Sequence, residues 1–318
     1  VPSFGGAKEA KRVAMFRSIR LAGVSWLFSV LTIGASASSA GENDLFDFRL
    51  PSTVVLSISQ SSTETKSAAA SLRVMLPKNF WIEFAGDQAT EVTDGFETTT
   101  LGGSVALGTD PIEDYALDLG IDRFGVSDQY SVREGRARFT AMPNSIFGRN
   151  NPGIEVTFEY RLAAFEFVNQ PNPIFKNTSV KLEARTLRTE FGFYMLSPWT
   201  IRLFFERVAL DQGFQDLNRP LAPLFIPETA ISTAISWPSE EDGISLSYGA
   251  KKWGARVGAS RKVAAVTLDK SFLTSVGVDY RWSKAITSVI RYSNSKSEND
   301  PSLQAIDSVG LEFAYSFY

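Results

Sequence analysis

Residues 153–162 read GIEVTFEYRL. Ile154, Val156, Phe158, Tyr160 and Leu162 fall on one parity, and Glu155, Thr157, Glu159 and Arg161 on the other. A period of two is the mark of a β-strand whose two faces meet different surroundings. The same pattern at 179–186 sets Val180, Leu182 and Ala184 against Lys181, Glu183 and Arg185. At 200–207, Ile201, Leu203 and Phe205 oppose Arg202 and Glu206, with Phe204 on the polar parity. Followed outward along the chain, the alternation marks fifteen candidate strands: 53–60, 67–76, 80–88, 97–108, 113–124, 129–141, 152–167, 177–196, 199–209, 228–237, 243–250, 253–262, 270–282, 285–295 and 305–318. Turn-rich pieces such as Pro77-Lys78-Asn79, Pro143-Asn144-Ser145 and the run from Pro238 to Gly243 separate them.

A soluble sandwich also alternates, so three further features decide. Many of the strands exceed the usual 5–6 residues of globular strands and match the roughly 9–11 that a tilted membrane strand needs. The chain carries 24 Phe, 9 Tyr and 6 Trp, and membrane barrels place such rings in girdles at the two interfaces. The face opposite the apolar one is charged, which suits a wet lumen and not a sandwich core. The expected fold is therefore all-β, a transmembrane antiparallel β-barrel over 53–318. Bacterial single-chain barrels have even strand numbers, so about fourteen strands are expected, with twelve or sixteen tolerated.

The end of the chain, 309–318, reads VGLEFAYSFY, with Val309, Leu311, Phe313, Tyr315 and Phe317 on one face. This resembles the closing strand of Gram-negative outer-membrane β-barrels, which ends in alternating apolar residues and a terminal aromatic. Here Tyr318 stands one residue beyond the alternating register. The resemblance is to the broad class over 41–318. It implies residence in the bacterial outer membrane, contact with outer-membrane lipid, and handling by periplasmic chaperones and the barrel-assembly machinery.

Residues 1–40 have the order of a secretory signal peptide: a basic stretch with Lys8, Lys11, Arg12, Arg17 and Arg20, an apolar run from Leu21 to Ile33, then small-residue exits ending at Ala37 and Ala40. The apolar run is shorter than the ~20 residues of a spanning helix. Residues 41–52 form a short N-terminal segment or small hatch before the barrel. Removing 1–40 takes five basic residues and Glu9 from totals of 32 basic and 35 acidic, leaving 27 and 34, a net charge of −7. That balance argues against nucleic acid as a partner.

The chain contains neither Cys nor His. Thiolate metal sites, cysteine nucleophiles and histidine-based catalysis are excluded. There is no phosphate-binding G-x-x-x-x-G-K-[ST] motif, and the acidic turn runs lack the spacing of a calcium loop. No catalytic, cofactor-binding or metal residues are assigned, and no cofactor is expected. Glu155 and Glu159 share a face, so a carboxylate-based barrel enzyme is the least favoured alternative.

Charge belongs in the lumen, away from lipid. The expected lumen charges are Arg136, Arg138, Glu155, Glu159, Arg161, Lys181, Arg185, Arg202 and Glu206. Their mixture suggests a passive channel or transporter for small polar solutes, with excess arginine favouring anions. The alternative is a structural or assembly-complex barrel subunit without an open pore. The longest irregular stretch, 210–227, holds three prolines and an apolar group including Leu224, Phe225 and Ile226. A connection of that length is more often functional than ornamental.

Overall fold

The computed structural model describes residues 51–93, 96–109, 115–127, 129–142, 153–167, 180–194, 198–211, 237–264, 267–299 and 305–317. The signal-peptide reading of 1–40 and nearly all of the 41–52 segment lie outside these residues, as does most of 210–227.

Fourteen strands form one closed antiparallel barrel. They are β1 Ser52–Ser61, β2 Lys66–Met75, β3 Phe80–Thr93, β4 Phe96–Thr109, β5 Tyr115–Val126, β6 Tyr130–Ala141 and β7 Gly153–Phe167. β8 Val180–Tyr194, β9 Trp199–Leu210, β10 Pro238–Gly249, β11 Trp253–Ala264, β12 Lys270–Arg281, β13 Ile286–Ser297 and β14 Ile306–Phe317 complete it. Each strand pairs with its sequence neighbours, and β1 closes on β14 from Ser52↔Phe317 to Ser61↔Ser308. Closure leaves no edge, so every ladder group has a partner without water.

Pro238 to Gly243 was expected to be a turn and is the first half of β10. Its charges mimic a loop, but Arg207 on β9 lies 2.6 Å from Asp242 and 3.7 Å from Glu240. They are cross-strand partners on the outer face. The fifteenth candidate, 228–237, falls on residues outside the described set except Trp237, a bend before β10. β9 pairs directly with β10.

The barrel is inside-out relative to a soluble domain. On β14, Val309, Phe313 and Tyr315 are exposed on the outer face, in one row with Leu311 and Phe317. β5 shows Tyr115, Leu117, Leu119 and Ile121, and β12 shows Val276, Val278 and Tyr280. The span from Val309 to Phe317 is about 27 Å along the strand, or roughly 21 Å across a bilayer at a tilt of ~40°. That approaches the ~25 Å apolar band of membrane barrels. Burying so many large side chains requires hydrocarbon around the wall.

Aromatic rings gather at the end that holds both strand termini of the barrel. Tyr115 stacks on Phe139 at 5.8 Å between ring centroids, Trp199 meets Tyr248 at 4.8 Å, Tyr248 meets Trp253 at 5.0 Å, and Tyr280 meets Trp282 at 4.8 Å. This is one interfacial girdle. Connections at this end are mostly tight, as at Pro77–Asn79, where Lys78 and Asn79 take positive φ and Leu76 N donates to Phe80 O at 2.7 Å. The two longest connections, 168–179 and 211–237, leave from the other end. Short turns face the periplasm and long loops the exterior in such barrels, so the girdle end is periplasmic.

This polarity has a measurable consequence. Phe313→Arg should lower the free energy of folding into bilayers by about 2–4 kcal/mol, the cost of a basic residue near the midplane. The inward-facing neighbour Glu312→Arg should cost clearly less. Urea titration in vesicles checks both; equal costs contradict the assignment of faces.

Candidate pore-lining site

Cross-strand register and burial together fix which residues face the lumen. On β7 the inward set begins Glu155, Thr157, Glu159, Arg161, while Phe158, Tyr160 and Leu162 are exposed outside. Its neighbours β6 and β8 contribute Glu134, Arg136 and Arg138, and Arg188, Glu190 and Tyr194. β9 contributes Arg202, Phe204 and Glu206.

These groups interlock across five strands. Asp118 on β5 lies 3.8 Å from Arg138, and Arg138 lies 2.7 Å from Glu159. Arg161 contacts Glu159 at 3.1 Å and reaches across β8 to Glu206 at 2.5 Å. Arg188 lies 3.5 Å from Glu206 and 3.4 Å from Glu190, and its guanidinium sits 4.1 Å over the Phe204 ring. Arg202 lies 3.7 Å from Glu190 and 3.8 Å from Glu155. Tyr194 donates its hydroxyl to Glu155 at 2.5 Å, and Arg202 donates to the Tyr194 oxygen at 3.1 Å. Glu155, Glu159 and Glu206 are buried by this packing. A bridge from β7 to β9 holds the curvature of the wall between them and immobilises the arginines.

Arg136, Arg138, Glu155, Glu159, Arg161, Arg202 and Glu206 all lie on the inward parity. Lys181 and Arg185 do not. Both are exposed on the outer face of β8, while Leu182 and Ala184 are buried inside. The reason is a polarity switch along the strand. From Leu187 to Phe193 the apolar parity points out to lipid. From Lys181 to Arg185 the strand stands above the hydrocarbon, and the charged parity faces solvent. The alternation continues there, but charge marks the lumen only within the bilayer.

The same switch occurs on β5, β6, β7 and β9, and it builds an apolar cap on the inner wall at the exterior end. Val126, Tyr130, Val132, Ala163, Phe165, Phe167, Leu182 and Ala184 form this cluster, with Phe124, Val208, Leu210 and Trp237 against it. Val132 is 0% exposed, and Trp237 meets Phe165 edge-on at 4.9 Å. Outside it stand Arg123, Arg133, Glu166, Lys181, Glu183 and Arg185.

Asp118, Glu134, Arg188, Glu190 and Tyr194 join the network beyond the residues expected from sequence. Parity within the candidate strands 113–124, 129–141 and 177–196 contained the signal, since each shares a parity with residues of the network. Adding them reverses the expected charge excess. On β5–β9 the inward acids are Asp118, Asp122, Glu134, Glu155, Glu159, Glu190 and Glu206, and the inward bases are Arg136, Arg138, Arg161, Arg188 and Arg202. Acids outnumber bases, so an arginine excess does not exist on this wall.

From β10 round to β1 much of the lumen wall is small, while Arg73 and Glu83 pair at 2.8 Å on β2 and β3. One register row runs Ser245, Gly258, Ser275, Ser293, Ser308, Ser61 across six strands from β10 to β1. The neighbouring row alternates Arg256, Gly277, Arg291, Gly310. Arg256 donates to Ser245 Oγ at 3.1 Å and makes no ion pair among the described residues; Arg291 pairs with Glu312 at 3.0 Å.

An apolar outer band, an interfacial aromatic girdle and an ionic inner wall make this a transmembrane β-barrel of the bacterial outer-membrane type. No protein-family model matches the chain, and no characterised protein matches it in sequence. The solved structures to which the chain is similar are low in identity. A KdgM porin is 12% identical, with a TM-score of 0.39, over 84% of this chain and 99% of that one. The CymD monoaromatic hydrocarbon channel is 8% identical, with a TM-score of 0.47, over 85% and 89%. OmpT, an outer membrane protein of Vibrio cholerae, is 12% identical, with a TM-score of 0.39, over 84% and 96%.

The network predicts a stability contrast. Arg161→Ala removes the ion pair of Glu134, at 4.0 Å, and the shortest one of Glu206, and should destabilise the barrel by about 1–3 kcal/mol. Arg185→Ala removes an exposed partner of Glu183 and should cost under about 1 kcal/mol. Thermal unfolding in detergent, read by the heat-dependent gel shift, checks the order.

Proposed function

We propose that the barrel is a passive channel of the outer membrane for small polar solutes. The observation that carries this reading is the unequal lining of the lumen. A round fourteen-stranded barrel with strands ~4.8 Å apart and tilted ~40° is about 28 Å across between backbones. The ionic network fills only the side of β5–β9. On the opposite side, the row from Ser245 to Ser61 offers hydroxyls and hydrogens that do not reach across such a width. A polar path along that small-residue wall therefore separates it from the network, with Arg256 and Arg291 projecting into it.

Such a wall gives weak selectivity by charge. The fixed groups of the network are nearly matched, with acids in slight excess, so the pore should prefer cations modestly. The carboxylates are already engaged by arginines or by Tyr194, which favours a structural and electrostatic role for them over acid–base catalysis. Uptake without an energy source fits a rigid wall in which the charged side chains brace one another.

Planar-bilayer recording of the refolded barrel tests the proposal. Stepwise conductance is expected, with reversal potentials displaced slightly toward cations and further displaced by Arg161→Ala with Arg202→Ala. Because the chain has no cysteine, Ser293→Cys gives a unique target in the small wall. A bulky thiol reagent should lower conductance there and leave it unchanged at the outward Tyr292→Cys. Absence of conductance from folded protein would return the structural, non-conducting reading.

A further inference from the structure

We propose that the outer wall of β4–β7 holds a binding site for a phosphomonoester-bearing lipid of the outer leaflet. Arg123 on β5 and Arg133 on β6 are direct cross-strand partners, and both are exposed on the outer face. Side chains in such positions start about 4.5–5.5 Å apart, and like charges placed there repel. Among the described residues only Glu166 approaches the pair. Arg123 makes no ion pair among the described residues. Arg133 has only a long contact to Glu166, at 3.9 Å, and Glu166 itself stands opposite Lys181 on β8. The local excess is positive, at the first polar positions above the apolar band on both strands.

Directly below the arginines the wall is notched. Gly135 is the next outward residue of β6, and a Cβ placed on it would meet nothing within 4 Å. The notch is a shallow, open depression of the outer wall, flanked by Leu119, Ile121, Tyr160 and Leu162. An apolar groove in the hydrocarbon, capped by two guanidiniums at the headgroup level, matches an acyl chain with an anionic head.

The charge of the pair selects the head. A phosphomonoester carries about −1.5 to −2 near neutral pH and presents three acceptor oxygens. It neutralises both guanidiniums and accepts forked hydrogen bonds from each. A phosphodiester with a single charge leaves one arginine uncompensated. The long connections place this end at the exterior, so the lipid belongs to the outer leaflet. The site depends on the placement of the wall in the membrane and not on conduction, since these side chains point away from the lumen.

Native mass spectrometry after detergent washing tests it. The full chain is refolded in phosphatidylcholine vesicles carrying either a bis-phosphorylated lipid A or phosphatidylglycerol. The wild type should retain lipid A and lose phosphatidylglycerol. Arg123→Gln with Arg133→Gln should reduce retained lipid A about tenfold, the effect of losing ~1.4 kcal/mol or more of charge-assisted binding. Gly135→Leu keeps both arginines, fills the notch, and should reduce retention as well. The gel shift confirms folding, and conductance should be unchanged in both variants. Equal retention of lipid A by the wild type and the folded arginine variant, or equal retention of the two lipids by the wild type, overturns the proposal.

Discussion

The pairing of β1 with β14 is the constraint on which the rest of the molecule depends. In hydrocarbon, an unpaired backbone N–H or C=O costs several kcal/mol, so a sheet survives there only without edges. The register from Ser52↔Phe317 to Ser61↔Ser308 removes both edges at once. It also fixes parity around the ring, because a slip of one residue would turn every side chain of a strand to the other face. Closure therefore sets which residues meet lipid and which meet the lumen.

Within that frame, polarity varies with height and with position around the ring. At bilayer depth the wall is apolar outside and ionic or small inside. Above it, on β5–β9, the arrangement inverts, with Phe165 and Val132 inside and Arg133 and Lys181 outside. The inverted zone resembles a soluble core built on strands that overshoot the membrane. Around the ring, bulky ion-paired residues crowd β5–β9, and serine and glycine predominate from β10 round to β1. The first asymmetry anchors the barrel at its exterior boundary, and the second sets a braced wall against a small one.

Much of this was legible in the sequence. The alternation at 153–162 and 309–318 identified strands and their lipid faces, since period two survives any uncertainty about ends. The even strand number of single-chain barrels corrected fifteen candidates to fourteen. What failed were inferences that equate charge with one location. Pro238 to Gly243 looked like a turn because its charges face solvent above the bilayer. Lys181 and Arg185 looked lumenal for the same reason. Depth in the membrane is a property of the whole barrel, and no single segment encodes it. Arg188, Glu190 and Tyr194 had the right parity, but their roles depend on partners on neighbouring strands, and Arg161 meets Glu206 two strands away.

The central claim is that one strand face meets lipid while the opposite face, on the small wall, meets water. Spin labels on single cysteines at Ser275, Val276, Gly277, Val278 and Asp279 of β12, reconstituted in bilayers, test it most directly. Oxygen accessibility should peak at 276 and 278, and access of a water-soluble nickel complex at 275, 277 and 279. Positions 275 and 277 closed to the nickel complex, or an alternation of opposite phase, would contradict it.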